Sequence, residues 1–583
     1  MGNIANSADP KSAFEEAIRA HEASPLDEDA FQRVLALGAE NPEVMRQIVA
    51  ERAESAPAFV PRGKPEAESG GLPGEITAGA GPYSAPPRRA APATNWGSNV
   101  ALGASEVRQP ANGGQAASAL QLAVKSGMRA RAIGASHSAS MVMATPGMLV
   151  DTGTLTSPET SAVNSLLRQC RELVPRSWYK GDAGPLAQLV EVGSGARVQD
   201  VVDYLTASNR ALPMTGSYTG QTLVGAFMTS THGAGVIHPP LHAAVRSIQM
   251  LVVNASGEPE ELRIEPSAGI TDPVAYTRAM PQVSLIQDDT TFLAAVVSMG
   301  CMGVVLSVII ETVPPYSLVQ ETMVTTWREA RAMLLDADSD GVPSYFQGTY
   351  NGGVLLSPYP EFLSLGGMQR AVMSRTRLAE TRPSGAGDPT SSPVSALLTK
   401  LAQAVGNGLP ALVPLLLNYT IGTTSTETVW GPGNVITGSA TELPVGYSAE
   451  HGFPLKGLVP AMDALLARML ELAEGRPRRL MVGPISIRYV GATGAFLSMT
   501  QGGDRAFTEI LTLAGAGLSM EVLEALEPLA LEMGSRPHWG QWFSGGAVAR
   551  MVATYPEYEK WKSVWKRLDP TGAFHSSFTD QLP

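Results

Sequence analysis

The hydrophobic pattern of the chain changes character near Asn95. From there to about residue 315, short apolar runs of strand type alternate with amphipathic runs of helix type. Strands are predicted for MRARAIGA, MLVDTG and LVEVGSG, and a helix is predicted for RVQDVVDYLTASN. Strands interleaved with helices in this way indicate a first domain of the α+β class over residues 94–315.

The chain beyond this point divides by the same criterion. Residues 316–535 mix strands with longer helices such as LVPAMDALLARMLELAE, and they predict a second, mixed α/β domain. Within it the run RTRLAETRPSGAGDPTSSPVS is polar and rich in turn residues, and it predicts an exposed insertion. Residues 536–583 are rich in aromatic residues and form a separate C-terminal segment.

The N-terminal residues have a different pattern. Residues 1–60 predict two or three short amphipathic helices, one of which begins at Ser24 with Pro25 in its first turn. Residues 61–93 are rich in Pro, Gly and Ala, have no apolar periodicity and predict a linker. The helices are therefore expected to be an N-terminal extension, an appendage to the two domains.

One uncharged run has the length of a membrane span. Residues 292–310 read FLAAVVSMGCMGVVLSVII and contain no charged side chain. Gly300 and Gly303 interrupt the run, and its β-branched end is typical of a strand. We expect a buried helix, a glycine turn and a core strand, and no insertion into a membrane.

Composition excludes several classes of protein. Hydrophobic residues make up 44% of the 583 residues and charged residues 16%, so the chain can bury large cores. The net charge of -12 argues against nucleic acid or an anionic membrane as the partner. The 2 cysteines cannot build a disulfide framework, and the N-terminus lacks the pattern of a signal peptide. A cytoplasmic protein is expected.

Two stretches rich in glycine and hydroxyl groups are candidates for a binding site. The run RARAIGASHS places His137 after a strand and a turn of small residues, whose backbone N–H groups can form a nest for phosphate. An ordinary turn with a structural histidine is the alternative. The run LPMTGSYTGQTLVGAFMTSTHG, which ends at Gly233, suits a close backbone approach to a polar ligand.

Two other kinds of site are not supported. The run GSGARV, which begins at Gly193, follows a strand as a dinucleotide-binding turn would, but it lacks the third glycine. His232, His238 and His242 are close in the sequence, but no Cys or carboxylate joins them at the spacing of metal ligands. We predict no metal, and we expect His238 and His242 to lie in a solvated loop.

Taken together, the motifs resemble a known superfamily. The chain resembles the p-cresol-methylhydroxylase-type FAD domain of the vanillyl-alcohol-oxidase superfamily in five runs: TNW, RAIGASHS, LVDTGTL, LPMTGSYTGQTLVGAFMTSTHGAG and SMGCMGVVLSVIIETVPPY. It resembles the aldonolactone, alditol and type II cholesterol oxidases in EHGFP, ISIRY, RPHWG and DPTGAF. The resemblance covers about residues 94–583 and implies a two-subdomain FAD-binding domain with a substrate (cap) domain.

The resemblance implies an FAD cofactor. In this superfamily the first turn binds the FAD pyrophosphate, and its histidine, here His137, is often bonded covalently to the flavin 8α-methyl, which raises the flavin's redox potential. Two groups of residues are expected to contact the cofactor. The first group is the turn itself: Arg131, Ile133, Gly134, Ala135, Ser136 and Ser138. The second group comprises Gly216, Ser217, Thr222, Gly225, Thr229, His232, Gly303 and Val304.

The candidate catalytic residues lie where the chain departs from these relatives. The sugar and sterol oxidases usually carry Glu-x-Arg above the flavin, whereas this chain has Ser486 two residues before Arg488. The lysine that commonly follows Pro-His-Trp-Gly is replaced by Gln541. We expect Arg488 to present an uncompensated positive charge to a substrate carboxylate or alkoxide. A salt bridge between Arg488 and Glu450 is the alternative.

Glu450 and His538 are the other ionisable candidates for a base or an orienting group. His538 titrates in the useful range and adjoins tryptophans that could form a wall for an apolar substrate. A structural histidine packed between tryptophans is the alternative. Because Ser486 and Gln541 replace charged residues, the sequence predicts a relatively apolar substrate.

These residues predict an FAD-dependent oxidase. It would transfer a hydride from a hydroxyl-bearing carbon of a mid-sized, relatively apolar organic molecule to flavin N5, with O2 as the acceptor. Two alternatives stay open. One is an FAD-dependent oxidative decarboxylase of secondary metabolism, with Arg488 as the anchor for a carboxylate. The other is a flavin-binding protein without catalysis.

Overall fold

The protein is described by a computed structural model that covers residues 9–23, 94–155, 170–172, 188–361, 367–389, 413–422, 426–437, 446–513 and 519–583, with scattered positions between 33 and 92 and at 424. Its helices are α1 Pro10–Ala23, α2 Gly113–Lys125, α3 Val198–Ala207, α4 Leu223–Met228, α5 Pro273–Ala279, α6 Asp289–Ala295, α7 Trp327–Leu335, α8 Val413–Gly422, α9 Gly433–Ile436, α10 Leu458–Glu474, α11 Ser519–Glu532, α12 Val548–Val552 and α13 Tyr558–Leu568. Most of the predicted linker, residues 61–93, lies outside the described residues.

The strands form three sheets. A four-stranded sheet has the order β1-β2-β4-β3, and contains β1 Arg88–Arg89, β2 Glu106–Arg108, β3 Ala130–Ile133 and β4 Met148–Asp151. A six-stranded sheet has the order β5-β6-β10-β7-β8-β9, and contains β5 Cys170–Glu172, β6 Leu189–Gly193, β7 Val245–Val253, β8 Pro259–Glu265, β9 Ser284–Gln287 and β10 Val304–Glu311. An eight-stranded sheet has the order β14-β11-β13-β12-β16-β17-β15-β18, and contains β11 Ser317–Thr326, β12 Asn351–Leu356, β13 Arg370–Leu378, β14 Thr428–Pro432, β15 Gly446–Pro454, β16 Ile485–Val490, β17 Arg505–Leu513 and β18 Arg536–Pro537.

The four-stranded sheet carries the first candidate motif at the end of β3. Strands β2, β4 and β3 run parallel, and α2 connects β2 to β3. The Asn112 side chain accepts a hydrogen bond from the backbone N–H of Gln115 and caps α2. Helix α2 then buries Ala116, Ala119 and Leu120, a spacing of three and four residues that turns one face onto the sheet.

The uncharged run belongs to the six-stranded sheet, as the sequence predicts. Helix α6 leads into a turn in which Gly300 has φ 69° and Gly303 has φ 152°, and β10 follows. A side chain is disfavoured at these φ values, which explains why glycines interrupt the run. Strand β10 lies between β6 and β7, with all its residues buried except the last. No described helix combines the length and the apolar character needed to cross a membrane.

The eight-stranded sheet is antiparallel throughout and packs with α10 and α11 in one large hydrophobic core. Helix α1 joins this core through Phe14, Ala17 and Ile18, which are spaced three and four residues apart and are at most 1% exposed. The prediction of a separate N-terminal appendage is therefore wrong for α1. Its apolar face completes the core of the second domain.

The predicted insertion after residue 374 is also wrong in its first part. Residues up to Leu378 continue strand β13, which pairs with β11 on one side and β12 on the other. By alternation, Arg375 and Arg377 lie on the same face of β13 as the buried Ala371 and Met373, beyond the end of the core, and both form ion pairs with Glu321 on β11. Alternating arginines thus mark the end of a strand whose charges are paired on the neighbouring strand. Residues 390–395 of the predicted insertion lie outside the described residues.

The C-terminal segment spans from the second domain back to the first. Strand β18 extends the eight-stranded sheet beside β15. Trp539 and Trp561, both fully buried, then pack in the core of the six-stranded sheet. Further along, the carbonyl of Ala573 accepts a hydrogen bond of 2.8 Å from the N–H of Ala130 at the start of β3. One segment therefore contacts all three sheets.

Candidate active site

A cavity of about 470 Å³ lies between the first two sheets and the face of the eight-stranded sheet. The turn after β3 and the loop around α4 line one side, and strands β11 to β17 line the other. Both candidate motifs therefore face the same cavity as the candidate catalytic residues.

The turn after β3 forms one end of the cavity. Ile133, Gly134, Ala135, Ser136 and Ser138 all line it. Ser136 has φ 53°, a left-handed conformation of the kind found in anion nests. A Cβ atom at Gly134 would lie 2.3 Å from Thr222 Oγ1, so only glycine allows the turn to approach the neighbouring loop. This geometry suits the pyrophosphate that the resemblance implies.

Arg131 has a different function from the one predicted. Its side chain also borders the cavity, but its guanidinium donates hydrogen bonds to the backbone carbonyls of Val142, Met299, Gly300 and Phe574. These carbonyls come from three separate segments of the chain. Because both Nη atoms are used in this way, Arg131 holds the walls of the site together, while its Nε is buried without a hydrogen-bond partner.

His137 is buried in an aromatic cluster at the cavity wall. Its ring stacks on Tyr218 with 4.3 Å between centroids and lies 4.6 Å from Trp96. Burial lowers the pKa of His137 to about 4, so the imidazole is neutral at pH 7 and has a free lone pair. Its Nδ1 atom is buried without a hydrogen-bond partner. An unpartnered nucleophilic nitrogen beside the nest fits an FAD molecule in this cavity.

The second motif forms the loop opposite. Ser217, Thr222, Gly225 and Thr229 line the cavity, and Thr222 caps α4 by accepting from the N–H of Gly225. The described lining residues do not include Gly216 or Val304, although both were predicted as cofactor contacts. The Val304 side chain instead packs fully buried in the core beneath the four-stranded sheet. Gly303, the residue before it, does line the cavity.

Arg488 is not uncompensated, and that prediction is wrong. Alternation along β16 sends Ile487 into the core while Ser486 and Arg488 face the cavity. Arg488 donates to Glu450 on β15 over 3.2 Å through Nη1 and to Glu509 on β17 through Nη2. Burial lowers the pKa of Arg488, but the two carboxylates raise it more, so the guanidinium stays charged.

The carboxylate of Glu509 is a site residue that no sequence motif predicts. No motif marks it, since it comes from a different strand than Arg488 and becomes a neighbour only through strand pairing. The Gln541 amide donates to Glu509 Oε1 over 3.3 Å, and the Ser448 hydroxyl lies 3.0 Å from that atom and 2.6 Å from Gln541 Oε1, to one of which it donates. Gln541, predicted as a neutral replacement, therefore contributes a hydrogen-bond donor to a charged group.

His232 and Glu450 face each other beside Arg488. His232 Nδ1 lies 2.9 Å from the carbonyl of Gly233, which can only accept, so Nδ1 carries a hydrogen. The other nitrogen, Nε2, lies 3.5 Å from Glu450 Oε2. Burial raises the pKa of Glu450, but His232 and Arg488 outweigh it and bring the pKa down to about 2. Glu450 is therefore ionised across the physiological range.

His538 completes this cluster as a neutral donor. The backbone N–H of Gly540 donates to its Nδ1 over 2.9 Å, so the ring hydrogen is on Nε2. Burial lowers the pKa of His538 to about 4, with Glu450 acting in the opposite direction. Ligand atoms of His232, Glu450 and His538 lie within 4.8 Å of one another. A metal would require a lone pair on His538 Nε2, which this tautomer does not offer.

His238 and His242, which are close to His232 in the sequence, do not lie in a solvated loop. His242 is 2% exposed, and the prediction of a solvated loop is wrong there. His238 is partly buried, with its ring 4.1 Å from that of Tyr350. Both pack where the loop after α4 meets the rest of the molecule, which a single sequence does not reveal.

Comparison with known proteins agrees with this architecture. The family described as D-arabinono-1,4-lactone oxidase matches residues 356–582. L-gulono-1,4-lactone dehydrogenase of Mycobacterium tuberculosis is 24% identical over 490 residues, which cover 84% of this chain and 98% of that protein. Alditol oxidase of a Streptomyces species is 23% identical over 506 residues, with coverages of 84% and 98%. A solved cholesterol oxidase structure from Brevibacterium sterolicum aligns with a TM-score of 0.64 at 15% identity, covering 90% of this chain and 100% of that one.

Fold, cavity and relatives together define an FAD-dependent oxidoreductase. More specifically, the chain is similar in sequence to aldonolactone and alditol oxidases, and it shares the fold of the solved cholesterol oxidases.

Proposed function

We propose that the enzyme oxidises a hydroxyl-bearing carbon of a polyhydroxylated small molecule, an aldonolactone or an alditol, with O2 as the final electron acceptor. The observation that carries the substrate class is the buried set of Glu450, Arg488 and Glu509 at the cavity wall. Such groups keep hydrogen-bonding capacity for a ligand with several hydroxyls. The relatives named L-gulono-1,4-lactone dehydrogenase, alditol oxidase and L-gulonolactone oxidase support this choice.

The chain's own residues manage charge and protons in this reaction. When bound, FAD supplies the acceptor for the hydride of the substrate C–H bond. Arg488, held between two carboxylates, stabilises the negative charge that develops on the substrate oxygen. His538 presents a neutral N–H donor at the same wall. Next to it, Glu450 faces His232 and compensates the positive charge of Arg488.

The floor of the cavity offers further polar contacts to such a substrate. Thr322, Ser374 and Arg488 lie in one row across the eight-stranded sheet, because Thr322 pairs with Ser374, Ser374 with Gly353, and Gly353 with Arg488. All four residues line the cavity. The hydroxyl groups of Ser374 and Thr322 thus follow Arg488 at increasing distance along this row. They can bind successive hydroxyls of a polyol chain or sugar ring.

This proposal replaces the expectation of a relatively apolar substrate. That expectation assumed that Ser486 and Gln541 leave the site short of charge, whereas two carboxylates pair with Arg488. The oxidative decarboxylase loses its premise for the same reason, since Glu450 and Glu509 already compensate the charge of Arg488 that was expected to anchor a substrate carboxylate. The comparisons give no support to that alternative or to a non-catalytic flavin-binding protein.

We also propose that FAD is bound covalently through His137. The neutral imidazole and the unpartnered Nδ1 at the cavity wall support the assignment. Formation of the bond replaces a methyl C–H and an imidazole N–H by one C–N bond. Two electrons and two protons must leave, and O2 is the oxidant proposed for them.

A substrate panel tests the function. The purified holoenzyme is incubated with L-gulono-1,4-lactone, D-arabinono-1,4-lactone, xylitol and cholesterol, and H2O2 and O2 consumption are followed. We expect turnover with at least one lactone or alditol and none with cholesterol. Oxidation of cholesterol alone would contradict the substrate class. Turnover only with an artificial dye under anaerobic conditions would contradict O2 as the acceptor.

A further inference from the structure

We propose that Glu509 is the catalytic base of this enzyme and takes the substrate hydroxyl proton from strand β17, one strand away from the position its relatives use. The inference rests on the proposed oxidation of a hydroxyl-bearing carbon. It assigns the base, which the substrate class alone does not identify. Relatives carry a glutamate two residues before the arginine, and this chain has Ser486 there.

Strand register places the carboxylate correctly. Strand β17 lies between β16 and β15, and Glu509 is the direct partner of Ser486 on one side and of Glu450 on the other. Partners in an antiparallel pair have side chains on the same face, with Cβ atoms about 4.5–5.5 Å apart. Since Ser486 faces the cavity, Glu509 does too, and both line it.

The surroundings of Glu509 leave its carboxyl group with a free acceptor site. Arg488 donates to Oε2 and Gln541 to Oε1, and the single hydroxyl hydrogen of Ser448 points either to Glu509 Oε1 or to Gln541 Oε1. A carboxylate has about four lone-pair sites, so at most three donors from the chain leave at least one site for a substrate hydroxyl. Gln541 replaces a lysine of the relatives, which keeps a donor to Glu509 without adding a second positive charge.

Glu450 is the less suitable of the two carboxylates. Arg488 binds its Oε1 and His232 faces its Oε2, so both oxygens have a cationic or ring partner. Its side chain is 3% exposed, against 8% for Glu509. We therefore assign Glu450 to positioning Arg488 and His232.

Atoms and electrons balance in the proposed transfer of a proton and a hydride from the substrate. The substrate O–H bond breaks and its proton moves to Glu509, while the C–H bond breaks with its electron pair and the hydride passes to the bound FAD. The carbon–oxygen double bond forms from the O–H electron pair. Arg488 stabilises the oxygen as its charge changes.

Three variants of the holoenzyme test the assignment: Glu509→Gln, the double variant Ser486→Glu with Glu509→Gln, and the matched control Ser486→Gln with Glu509→Gln. We expect Glu509→Gln to lower kcat by about 10²-fold or more, the usual contribution of a general base, with the FAD absorbance retained. Returning a carboxylate through Ser486→Glu should recover at least about tenfold, and the control should recover nothing.

Either of two kinetic results would contradict the assignment of Glu509 as the base. Wild-type kcat in Glu509→Gln, or equal recovery in the double variant and its uncharged control, would remove Glu509 from the chemistry. A second measurement needs no substrate: loss of a nearby negative charge should raise the flavin midpoint potential in Glu509→Gln, and Ser486→Glu should restore it. An unchanged flavin potential in Glu509→Gln would contradict the placement of Glu509 near the flavin. If the potential shifts but the wild-type enzyme oxidises no compound of the substrate panel, only the proposed substrate class is contradicted.

Discussion

Single side chains at this site take their properties from neighbours that are distant in the sequence. Arg488 has no carboxylate close to it in sequence, yet strand pairing gives it Glu450 and Glu509. Motifs in the sequence were sufficient to select Arg488, His538 and Glu450 as neighbours. They could not select Glu509, because a glutamate on an ordinary strand becomes significant only through the register of the strand beside it.

The covalent bond proposed for His137 gives a prediction at this scale. Acid precipitation of the wild-type enzyme should leave the yellow colour in the pellet, whereas His137→Ala should release its flavin to the supernatant. Burial keeps the imidazole neutral and nucleophilic, and alanine has no such nitrogen. His451→Gln, a substitution of another buried histidine outside the cavity lining, is the control and should keep the colour in the pellet. Colour in the wild-type supernatant would contradict the bond.

At the scale of elements, local pattern predicted some parts well and others poorly. Helix α6, the glycine turn and strand β10 followed from the uncharged run, because apolar composition and β-branching act locally. The end of strand β13 was predicted as an insertion, because its arginines are polar and its burial depends on β11 and β12. Helix α1 was predicted as a helix but not as a part of the second domain's core.

Packing of α1 makes a prediction about stability. Phe14→Ala should destabilise the protein by about 3 kcal/mol, because a fully buried aromatic ring would leave a cavity in the core of the eight-stranded sheet. Arg19→Ala, on the exposed face of the same helix, should change stability by less than about 0.5 kcal/mol. Urea denaturation of both variants measures the difference. Equal midpoints for Phe14→Ala and the wild type would show that α1 does not support the core.

For the molecule as a whole, buried histidines set the response of stability to pH. Burial lowers the pKa values of His451 and His538 to about 4, and that of His242 to about 3, against a value near 6.5 in the unfolded chain. Between these values the unfolded state binds protons that the native state does not. The free energy of unfolding therefore keeps its full value with respect to each of these histidines above pH 6.5. It decreases progressively as the pH falls toward 4.

The urea midpoint of the holoenzyme should therefore fall between pH 7.5 and pH 5. His242→Leu should weaken this dependence, because both nitrogens of His242 are buried without a partner and the variant removes one of the titrating groups. Midpoints at pH 5, 6 and 7.5 for both proteins provide the measurement. A midpoint that is constant or rises toward pH 5 would contradict the assignment of neutral histidines.

The path of the C-terminal segment also has a consequence for biosynthesis. Residues 536–574 contribute β18 to one sheet, tryptophans to a second and the Ala573 and Phe574 carbonyls to the strand that precedes the phosphate-binding turn. On the ribosome roughly 220 residues separate the end of the first domain, at residue 315, from these partners. We therefore expect the turn after β3 to reach its final form, and the cofactor to be loaded, only after residues 536–574 have left the exit tunnel.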